Sequence, residues 1–333
     1  MRRRRMNAVP TYGTPTNALA MDLAFSIHTD VEAGYYDVQY PEHEWYKVVL
    51  PEQVKSDINP GATAYGYTIR DKHGMARFIS NGRQHDIPRV GVSMGAVQVP
   101  IAYSAISAEL TNEDARQFNF GMNGDLGSEL GEAMRKGCDN LVEVTVFFGE
   151  PNLRLLGWLN YGGITRITAA VGAGGFTEWN TKTAEEMVND IDNALVAIWI
   201  NTQGLIKPAD IFLPYAQFAI LGRTPMVLGS GGSGTGLAVT ALEYLKKNNT
   251  MTAVTGKELN IIPIRYLAGA GVGNTDRMVI QERSSDKQIL PFPLPYTLSE
   301  PVPVPLGVEW YAEQKFGGYH VKQQGSMMYV DGI

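Results

Sequence analysis

The chain has 333 residues, of which 44% are hydrophobic and 19% are charged, with a net charge of −6. Soluble chains usually carry about 25% charged residues, so this protein is either very compact or covered over much of its surface by other protein. The acidic balance argues against a dedicated nucleic-acid-binding protein, whose domains usually have an isoelectric point above ~9. The single cysteine, Cys138, excludes an intramolecular disulfide framework and a multi-cysteine zinc site.

The N-terminus carries four consecutive arginines, Arg2–Arg5, but no apolar region follows them as it would in a signal peptide. No stretch approaches the ~18 uncharged apolar residues of a membrane span. Together with the cysteine count, these features fit synthesis in a reducing cytosol and predict no membrane partner.

The first 104 residues predict two extended segments. Residues 1–60 are rich in turn formers and aromatics with little periodicity, which predicts an extended arm with a short strand in Trp45–Leu50. Residues 61–104 alternate polar and apolar positions on both sides of turn-forming sequences, which predicts a long β-hairpin or extended loop. No apolar partner in its own sequence covers both faces of this hairpin.

Helical spacing begins at Asn112, with a short acidic helix that ends at Gly121. A longer helix of about 24 residues follows Asp125, because apolar residues recur at steps of three and four up to Gly149 and Pro151, which end it. The residues of this predicted buried stripe are Leu126, Leu130, Met134, Cys138, Leu141, Thr145 and Phe148.

The second half of the chain predicts helices and then strands. A capping box at Thr183–Glu186 starts a helix whose apolar face runs to Ile198 and which Gly204 closes. ADIFLP predicts a short buried strand, and PYAQFAILG and ALEYLKKNN predict helices. The last ~75 residues are mostly strand, with the proline-rich PFPLPYTLSEPVPVPLG as an extended surface connector.

None of the catalytic or ligand-binding motifs suggested by the sequence is complete. The loop Leu228–Gly236 resembles a phosphate-binding loop, but Thr235 stands where the lysine should be, so a flexible loop is favoured. His43-Glu44 begins like a zinc-protease motif, but Lys47 replaces the second histidine. Asp190 and Asp192 are expected on a solvated helix edge, and Cys138 as a small buried hydrophobe. The sequence therefore predicts no catalytic, cofactor-binding or metal-binding residues.

The order of the elements and several stretches of sequence resemble the major capsid proteins of tailed bacteriophages, whose fold also occurs in encapsulin shells. The resemblance spans about residues 35–333. It rests on ATAYGYTIRDKHGMARFI and DIPRVGVSMGAVQVPI in the hairpin, VFFGEPNLRLLGWLN after the long helix, ADIFLPYAQFAIL, GAGVGNTDRMVIQER, and the terminal GGYHVKQQGSMMYVDGI.

The resemblance implies an α+β fold with five parts. These are an N-terminal arm (1–60), an extended loop (61–104), a peripheral domain with a long spine helix (105–165), an axial domain (166–300) and C-terminal strands that return to the peripheral domain (301–333). It also implies a structural protein of the virion, assembled in the host cytoplasm. Its copies would form hexamers and pentamers that close into an icosahedral shell around double-stranded DNA, with portal, scaffolding and decoration proteins as further partners. The alternatives are an encapsulin-like cargo shell and a soluble α/β nucleotide-binding enzyme that uses the Gly229–Gly236 loop.

Charge patterning predicts where neighbouring subunits would meet. The resemblance implies that the extended loop of one subunit lies over the peripheral domain of the next. Because the hairpin is basic and the region of the spine helix is acidic, the hairpin of one subunit is then expected to contact the spine region of the next, or else to face solvent. The proposed contact residues are Arg70, Lys72, Arg77, Arg83 and Arg89 on the hairpin, and Glu129 and Glu132 on the spine helix.

The arginines Arg2, Arg3, Arg4 and Arg5 leave two interpretations open, a solvated tail or a contact with packaged DNA or an acidic neighbour. Only about 60 residues precede the extended loop, so no large fused scaffolding segment is expected and a scaffold would be a separate protein.

Overall fold

The computed structural model describes residues 38–76, 78, 89–121, 126–226 and 239–333. Arg2–Arg5, Arg77, Arg83 and the Gly229–Gly236 loop lie outside these ranges. The chain divides into two compact units, Met1–Glu42 and His43–Ile333. In the first unit, the described residues 38–42 are exposed. All the elements below belong to the second unit.

Helices and strands are mixed along the second unit. The described α-helices are α1 (Trp45–Val48), α2 (Asn112–Gly121), α3 (Leu126–Phe148), α4 (Ala184–Asn201), α5 (Tyr215–Arg223), α6 (Ala241–Lys247) and α7 (Thr250–Thr255). The described strands are β1 (Val54–Lys55), β2 (Ala64–His73), β3 (Gly91–Thr111), β4 (Thr165–Thr168), β5 (Asp210–Leu213), β6 (Pro225–Met226), β7 (Val239–Thr240), β8 (Asn260–Pro263), β9 (Arg277–Gln281), β10 (Gln288–Pro291), β11 (Leu294–Leu298), β12 (Val302–Val304), β13 (Gly307–Gly317), β14 (His320–Val321) and β15 (Met327–Asp331).

Ten of the fifteen described strands form two five-stranded sheets, and the others form the smaller sheets β1-β10-β14 and β6-β7. The first has the order β11-β13-β3-β2, with β12 also paired to β13, and the second has the order β4-β15-β9-β5-β8. Strand β15 lies inside the second sheet, between β4 and β9. The C-terminal segment therefore contributes to both sheets, through β13 and β15.

The predicted hairpin is formed by β2 and the first half of β3, which pair antiparallel from Ala64↔Pro100 to His73↔Gly91. The second half of β3 pairs with β13 from Ile101↔Gly317 to Thr111↔Gly307. Strand β3 is thus one continuous element of 21 residues, about 70 Å long at ~3.4 Å per residue. A single strand carries the hairpin and anchors it in the first sheet.

The predicted spine helix is present as α3, with Met134, Cys138, Val142, Val146 and Phe147 buried. Cys138 is a small buried hydrophobe, as predicted. Thr145 is buried as predicted, but two positions of the predicted stripe are wrong, because Leu141 and Phe148 are each 44% exposed and their neighbours Val142 and Phe147 are buried in their place. Leu141 and Phe148 each follow a step of three, which at about 100° per residue falls roughly 60° short of a full turn and carries both side chains away from the buried face.

The N-terminal part of the second unit differs from the predicted extended arm. The strand predicted at Trp45–Leu50 is wrong, since Trp45–Val48 form the helix α1. Val48 and Val49 are almost completely buried in a core cluster with Val142 and Val146 of the spine helix. Strand propensity of aromatic and β-branched residues was overridden here by packing against the spine helix.

The proline-rich connector is extended, as predicted, but it is also paired. Strands β11 and β12 both bond to β13, and the register shifts between Leu294 and Thr297, around Pro295. Because proline lacks a backbone donor, it is tolerated at such irregular or edge positions of a sheet.

The prediction that Asp190 lies on a solvated edge is wrong. Its carboxylate is buried and accepts hydrogen bonds from Lys182 Nζ at 2.5 Å and Trp179 Nε1 at 3.1 Å. Asp192 is also engaged, since it accepts from the backbone N–H and the hydroxyl of Thr250 at 2.9 and 2.7 Å. The helix bearing both residues starts with the predicted capping box, in which the Thr183 N–H donates to Glu186 Oε2 at 2.8 Å.

Candidate assembly surface

The hairpin has two chemically different faces, because residues opposite each other on paired strands share a face. One face carries Arg70 opposite Met94 and Lys72 opposite Val92. All four of these side chains are exposed, and Val92 and Met94 are 55% and 65% accessible. Neither Arg70 nor Lys72 forms an ion pair with any residue that the structure describes. This surface, the basic face below, combines positive charge with uncovered apolar area.

The opposite face of the hairpin turns toward the body at its root. Tyr67 stacks on Tyr65 with ring centroids 6.3 Å apart, and its hydroxyl lies 2.8 Å from His320 Nε2. Asp71 lies further out on the same face, opposite Ser93. The hairpin therefore contacts the body through its tyrosine face and leaves its basic face uncovered. Arg89, just before β3, is also exposed.

Glu129 and Glu132, the predicted acidic partners, are both exposed on the spine helix. The Glu132 carboxylate accepts a hydrogen bond from Lys136 Nζ at 2.7 Å, and this lysine lowers the pKa of Glu132. Arg135 and Asp139 lie one helical turn apart, and the distance from Arg135 Nε to Asp139 Oδ2 is 3.9 Å. The acidic character of this helix face is thus partly neutralised within the subunit.

A second acidic surface lies on the first sheet and was not predicted from the sequence. The spine helix covers the sheet face that bears Ile106 and Gln314, whose amide donates to Cys138 O at 3.1 Å. The opposite face bears Glu109 directly across from Glu309, and Glu313 further along β13. We call this surface the outer sheet face; it also bears Tyr103, Tyr311 and Lys315.

The carboxylates of the outer sheet face are bound by tyrosines. Glu313 accepts from the Tyr103 hydroxyl at 2.9 Å, and Glu309 accepts from the Tyr311 hydroxyl at 2.5 Å. These bonds raise the pKa of both tyrosines. Two glutamates directly opposite each other destabilise a strand pair, so this face gains from an external cation. A pattern search could have found it, since Glu309 and Glu313 alternate with apolar residues in GVEWYAEQKF.

A buried ionic cluster fastens the N-terminal part of the second unit to the body. Glu143, fully buried on the spine helix, accepts from the Glu44 N–H at 3.2 Å, from Arg265 Nη2 at 2.7 Å and from His43 Nδ1. Glu44, 1% exposed, accepts from the Arg265 N–H at 2.9 Å, from Lys47 Nζ at 3.1 Å and from the Tyr215 hydroxyl. Burial and the bond to Glu44 raise the pKa of Tyr215 to about 12.

The ionic cluster gives His43-Glu44 a structural role in place of the rejected metal motif. No group of three or more metal-ligating side chains occurs among the described residues. None of the described helices is both long and apolar enough to cross a membrane.

A sequence model of the major capsid protein family matches residues 74–333, more than three quarters of the chain. The chain belongs to the major capsid protein family. It is therefore classed with the structural proteins of capsids. Nothing among curated protein sequences matches it.

Solved capsid structures share the fold of this capsid protein. It is similar to the capsid of Myoviridae phage XM1, with a TM-score of 0.72 at 15% identity, over 96% of this chain and 100% of that one. The capsid of a native GTA particle gives a TM-score of 0.59 at 9% identity, over 96% and 99% of the two chains. Microbacterium phage Oxtober96 gives 0.57 at 11% identity, over 94% and 98%. The predicted α+β phage capsid fold is confirmed.

Proposed function

We propose that copies of this chain assemble as hexamers and pentamers into a closed icosahedral shell around double-stranded DNA. The observation that carries the proposal is the long hairpin with an uncovered basic face. Portal, scaffolding and decoration proteins are the further partners, and the shell forms in the host cytoplasm. The chain has a structural role and no catalytic one.

Contact between subunits forms when the hairpin of one subunit lies on an acidic surface of the next, as a head-to-tail contact that closes into rings. Exposed ion pairs contribute only ~0–1 kcal/mol each, so charge sets register and partner choice. Burial of apolar side chains such as Val92 and Met94 supplies the larger share, at about 25 cal/mol per Å².

The acceptor for the basic face is one of two acidic surfaces. The first is the spine-helix face with Glu129 and Glu132, to which the charge pattern of the sequence points. The second is the outer sheet face with Glu109, Glu309 and Glu313, which the opposed Glu109 and Glu309 favour. An arginine or lysine placed there would relieve their repulsion and could lie over Tyr103 or Tyr311.

Charge reversal on the hairpin tests the contact. We expect the double variant Arg70→Glu/Lys72→Glu to form few or no particles by negative-stain microscopy, while the monomer remains folded by circular dichroism. The control Lys207→Glu/Lys257→Glu changes the net charge equally, at exposed lysines away from the hairpin, and should assemble as wild type does. Normal assembly of the hairpin variant at low and moderate salt would overturn the charge-guided contact. The pair Arg77 and Arg83 gives a second hairpin variant.

Compensating reversals identify the acceptor. Glu129→Lys/Glu132→Lys restores assembly of the hairpin variant if the spine helix is the acceptor, and Glu109→Arg/Glu313→Arg restores it if the outer sheet face is. Rescue by neither pair, with normal folding, would assign the hairpin charges to another surface.

The contents of purified particles separate the DNA shell from its alternatives. Nuclease-protected double-stranded DNA supports the virion role, whereas a single packaged protein would support an encapsulin-like cargo shell. Failure of the wild-type chain to form particles, together with nucleotide retention in a filter assay, would favour the soluble enzyme.

Arg2–Arg5 are proposed to contact packaged DNA or an acidic neighbour. Each phosphate contact adds about −0.9 to the slope of log affinity against log salt, so four charges give weak, sequence-independent binding. A variant with all four arginines replaced by alanine should lose DNA retention at raised salt, and wild-type retention would refute the contact.

A further inference from the structure

Leu306 combines an unfavourable backbone conformation with an exposed apolar side chain. Strands β12 and β13 are joined by the two-residue turn Pro305–Leu306, since Val304 pairs with Gly307. The backbone of Leu306 has a φ of +68°, in the left-handed region, and the residue is 80% exposed. Proline followed by a positive φ is the pattern of a type II turn, which favours glycine or asparagine at the second position. A bulky residue with positive φ is a rare outlier, and such strain is concentrated at functional sites.

The body of the subunit fixes the position of this turn. The Leu306 carbonyl accepts a hydrogen bond from the Asn112 N–H, at the start of α2, at 2.8 Å. The glycine of the turn is needed at the next position, because a Cβ on Gly307 would lie 2.5 Å from Leu110 O. Since so little of the Leu306 side chain is buried, packing within the subunit does not offset its strain.

Acidic and apolar side chains lie together near this turn. Val302 of β12 is directly opposite Glu309 of β13, which is in turn directly opposite Glu109 of β3. Val302 is 44% exposed, so it adds apolar area to the outer sheet face at the end where Leu306 lies. This end of the outer sheet face therefore combines negative charge with exposed apolar side chains.

The basic face of the hairpin has the complementary chemistry, since its exposed Val92 and Met94 lie beside two cations. These residues are near the N-terminal end of β3. Leu306 is beside the C-terminal end of β3, where Thr111 pairs with Gly307. Because β3 is one continuous strand, about 70 Å long at ~3.4 Å per residue, a single chain cannot bring the two surfaces together. A second copy of the chain can.

We propose that Leu306 is an apolar anchor, which packs against Val92 and Met94 on the hairpin of the partner subunit. In this contact the cations of the hairpin meet Glu109 and Glu309, and they relieve the repulsion between these two carboxylates. The proposal rests on the proposed function and assigns the outer sheet face as the acceptor. The contact is head-to-tail, so it repeats around a ring. Leu306 thus promotes assembly while it destabilises the single subunit.

Replacement by asparagine separates these two effects of Leu306. Asparagine has nearly the same size, tolerates a positive φ and is polar. We expect unassembled full-length Leu306→Asn to unfold at the same urea concentration as wild type or a higher one. Its particle formation, followed by light scattering, should be about tenfold slower or absent, because the buried leucine contact is lost. Leu306→Met, which remains apolar, should assemble within about twofold of the wild-type rate.

Gln203 provides a matched control, since it is also exposed and has a φ of +52°. Gln203→Asn should assemble as wild type does. Wild-type assembly of Leu306→Asn would overturn the proposal, and so would an equal delay in Gln203→Asn, which would trace the effect to the backbone. A clear loss of stability in unassembled Leu306→Asn would also overturn it, because the leucine would then stabilise the subunit.

Disulfide trapping between copies identifies the surface that Leu306 contacts. Full-length Leu306→Cys and Met94→Cys are mixed before assembly and oxidised under mild conditions, with the native Cys138 buried. We expect a disulfide-linked dimer on a non-reducing gel. Leu306→Cys mixed with Lys207→Cys, at an exposed position away from the hairpin, should give none.

The remaining outcomes of the trapping experiment oppose the proposal. A dimer of Leu306→Cys with itself would indicate a symmetric contact, and a dimer with Glu129→Cys would place Leu306 on the spine helix of the partner subunit. No dimer with Met94→Cys would likewise overturn the anchor. Because a gel detects dimers whether or not closed particles form, this result is distinct from failure of the wild-type chain to assemble, which would overturn the proposed function.

Discussion

The buried ionic cluster and the basic face of the hairpin use charge in opposite ways. In the cluster, each carboxylate of Glu44 and Glu143 accepts several hydrogen bonds from groups of the same chain. On the hairpin, Arg70 and Lys72 are exposed and meet no carboxylate of the described residues. Charges that are desolvated must be paired within the chain, whereas exposed charges cost little and are available to a second molecule. The first set should control folding and the second should control assembly.

The largest effect on stability is expected at Arg265, whose guanidinium bonds to Glu143 and approaches Glu44 to 3.9 Å. Arg265→Ala leaves two buried carboxylates without their main cation, which costs about 3–5 kcal/mol in the free energy of unfolding. Urea denaturation of the unassembled chain, followed by tryptophan fluorescence, measures this loss. The exposed Arg135→Ala should change stability by less than ~0.5 kcal/mol. Equal losses in the free energy of unfolding of the two variants would show that the ionic bonds of Arg265 do not stabilise the buried Glu44 and Glu143.

The elements that could be predicted from sequence are those specified by local pattern. The spine helix follows from its apolar spacing and its glycine and proline stop, and α4 follows from its capping box. The hairpin follows from strand alternation between turn residues. In each case, neighbours within about four residues carry the information.

What could not be predicted depends on contacts between distant segments. Glu44 and Glu143 are 99 residues apart, and their shared cation Arg265 is further still along the chain. One local signal was available, because Glu143 stands alone within the apolar run LVEVTVFF and a lone charge there demands a partner. On the outer sheet face, the alternation of Glu309 and Glu313 with apolar residues was a second local signal, but the opposition of Glu109 and Glu309 could not be predicted, since they become neighbours only when β3 pairs with β13.

Asp190 and Asp192 lie on the same helix, so substituting them compares a buried ion pair with a partly exposed hydrogen-bonded carboxylate. Asp190→Ala leaves the ammonium of Lys182, which is 1% exposed, without its counter-ion, so we expect a loss of about 3 kcal/mol. Asp192→Ala removes only hydrogen bonds to Thr250 and should cost about 1 kcal/mol. Denaturant titration of both variants measures the difference. Similar losses would contradict the distinction between a buried ion pair and a partly exposed cap.

Tyr215, which donates a hydrogen bond to Glu44 of the ionic cluster, should make the stability of the protein depend on pH in the alkaline range. Its pKa in the folded chain is about 12, against 10 for an ordinary tyrosine, because burial and Glu44 disfavour the phenolate. The unfolded chain therefore loses this proton first, and stability should fall as the pH rises from 10 to 12. Thermal unfolding across this range should show a shallower fall for Tyr215→Phe than for wild type. The same dependence of thermal stability on pH in both proteins would mean that the ionic cluster does not raise the pKa of Tyr215.

The smallest effect on stability is expected at Glu132, where the two uses of charge can be separated in one residue. Its pKa is lowered by Lys136, so the pairing is present at neutral pH and lost as the pH falls below about 4.5. Because both side chains are 60% exposed, water screens the pair, and Glu132→Gln should unfold at the same denaturant concentration as wild type at pH 7. Assembly is the informative measurement. If the spine helix accepts the hairpin, Glu132→Gln slows particle formation in light scattering at low salt, and the difference disappears as salt screens the contact. If the outer sheet face accepts it, Glu132→Gln assembles as wild type does and Glu313→Gln shows the salt-dependent delay instead.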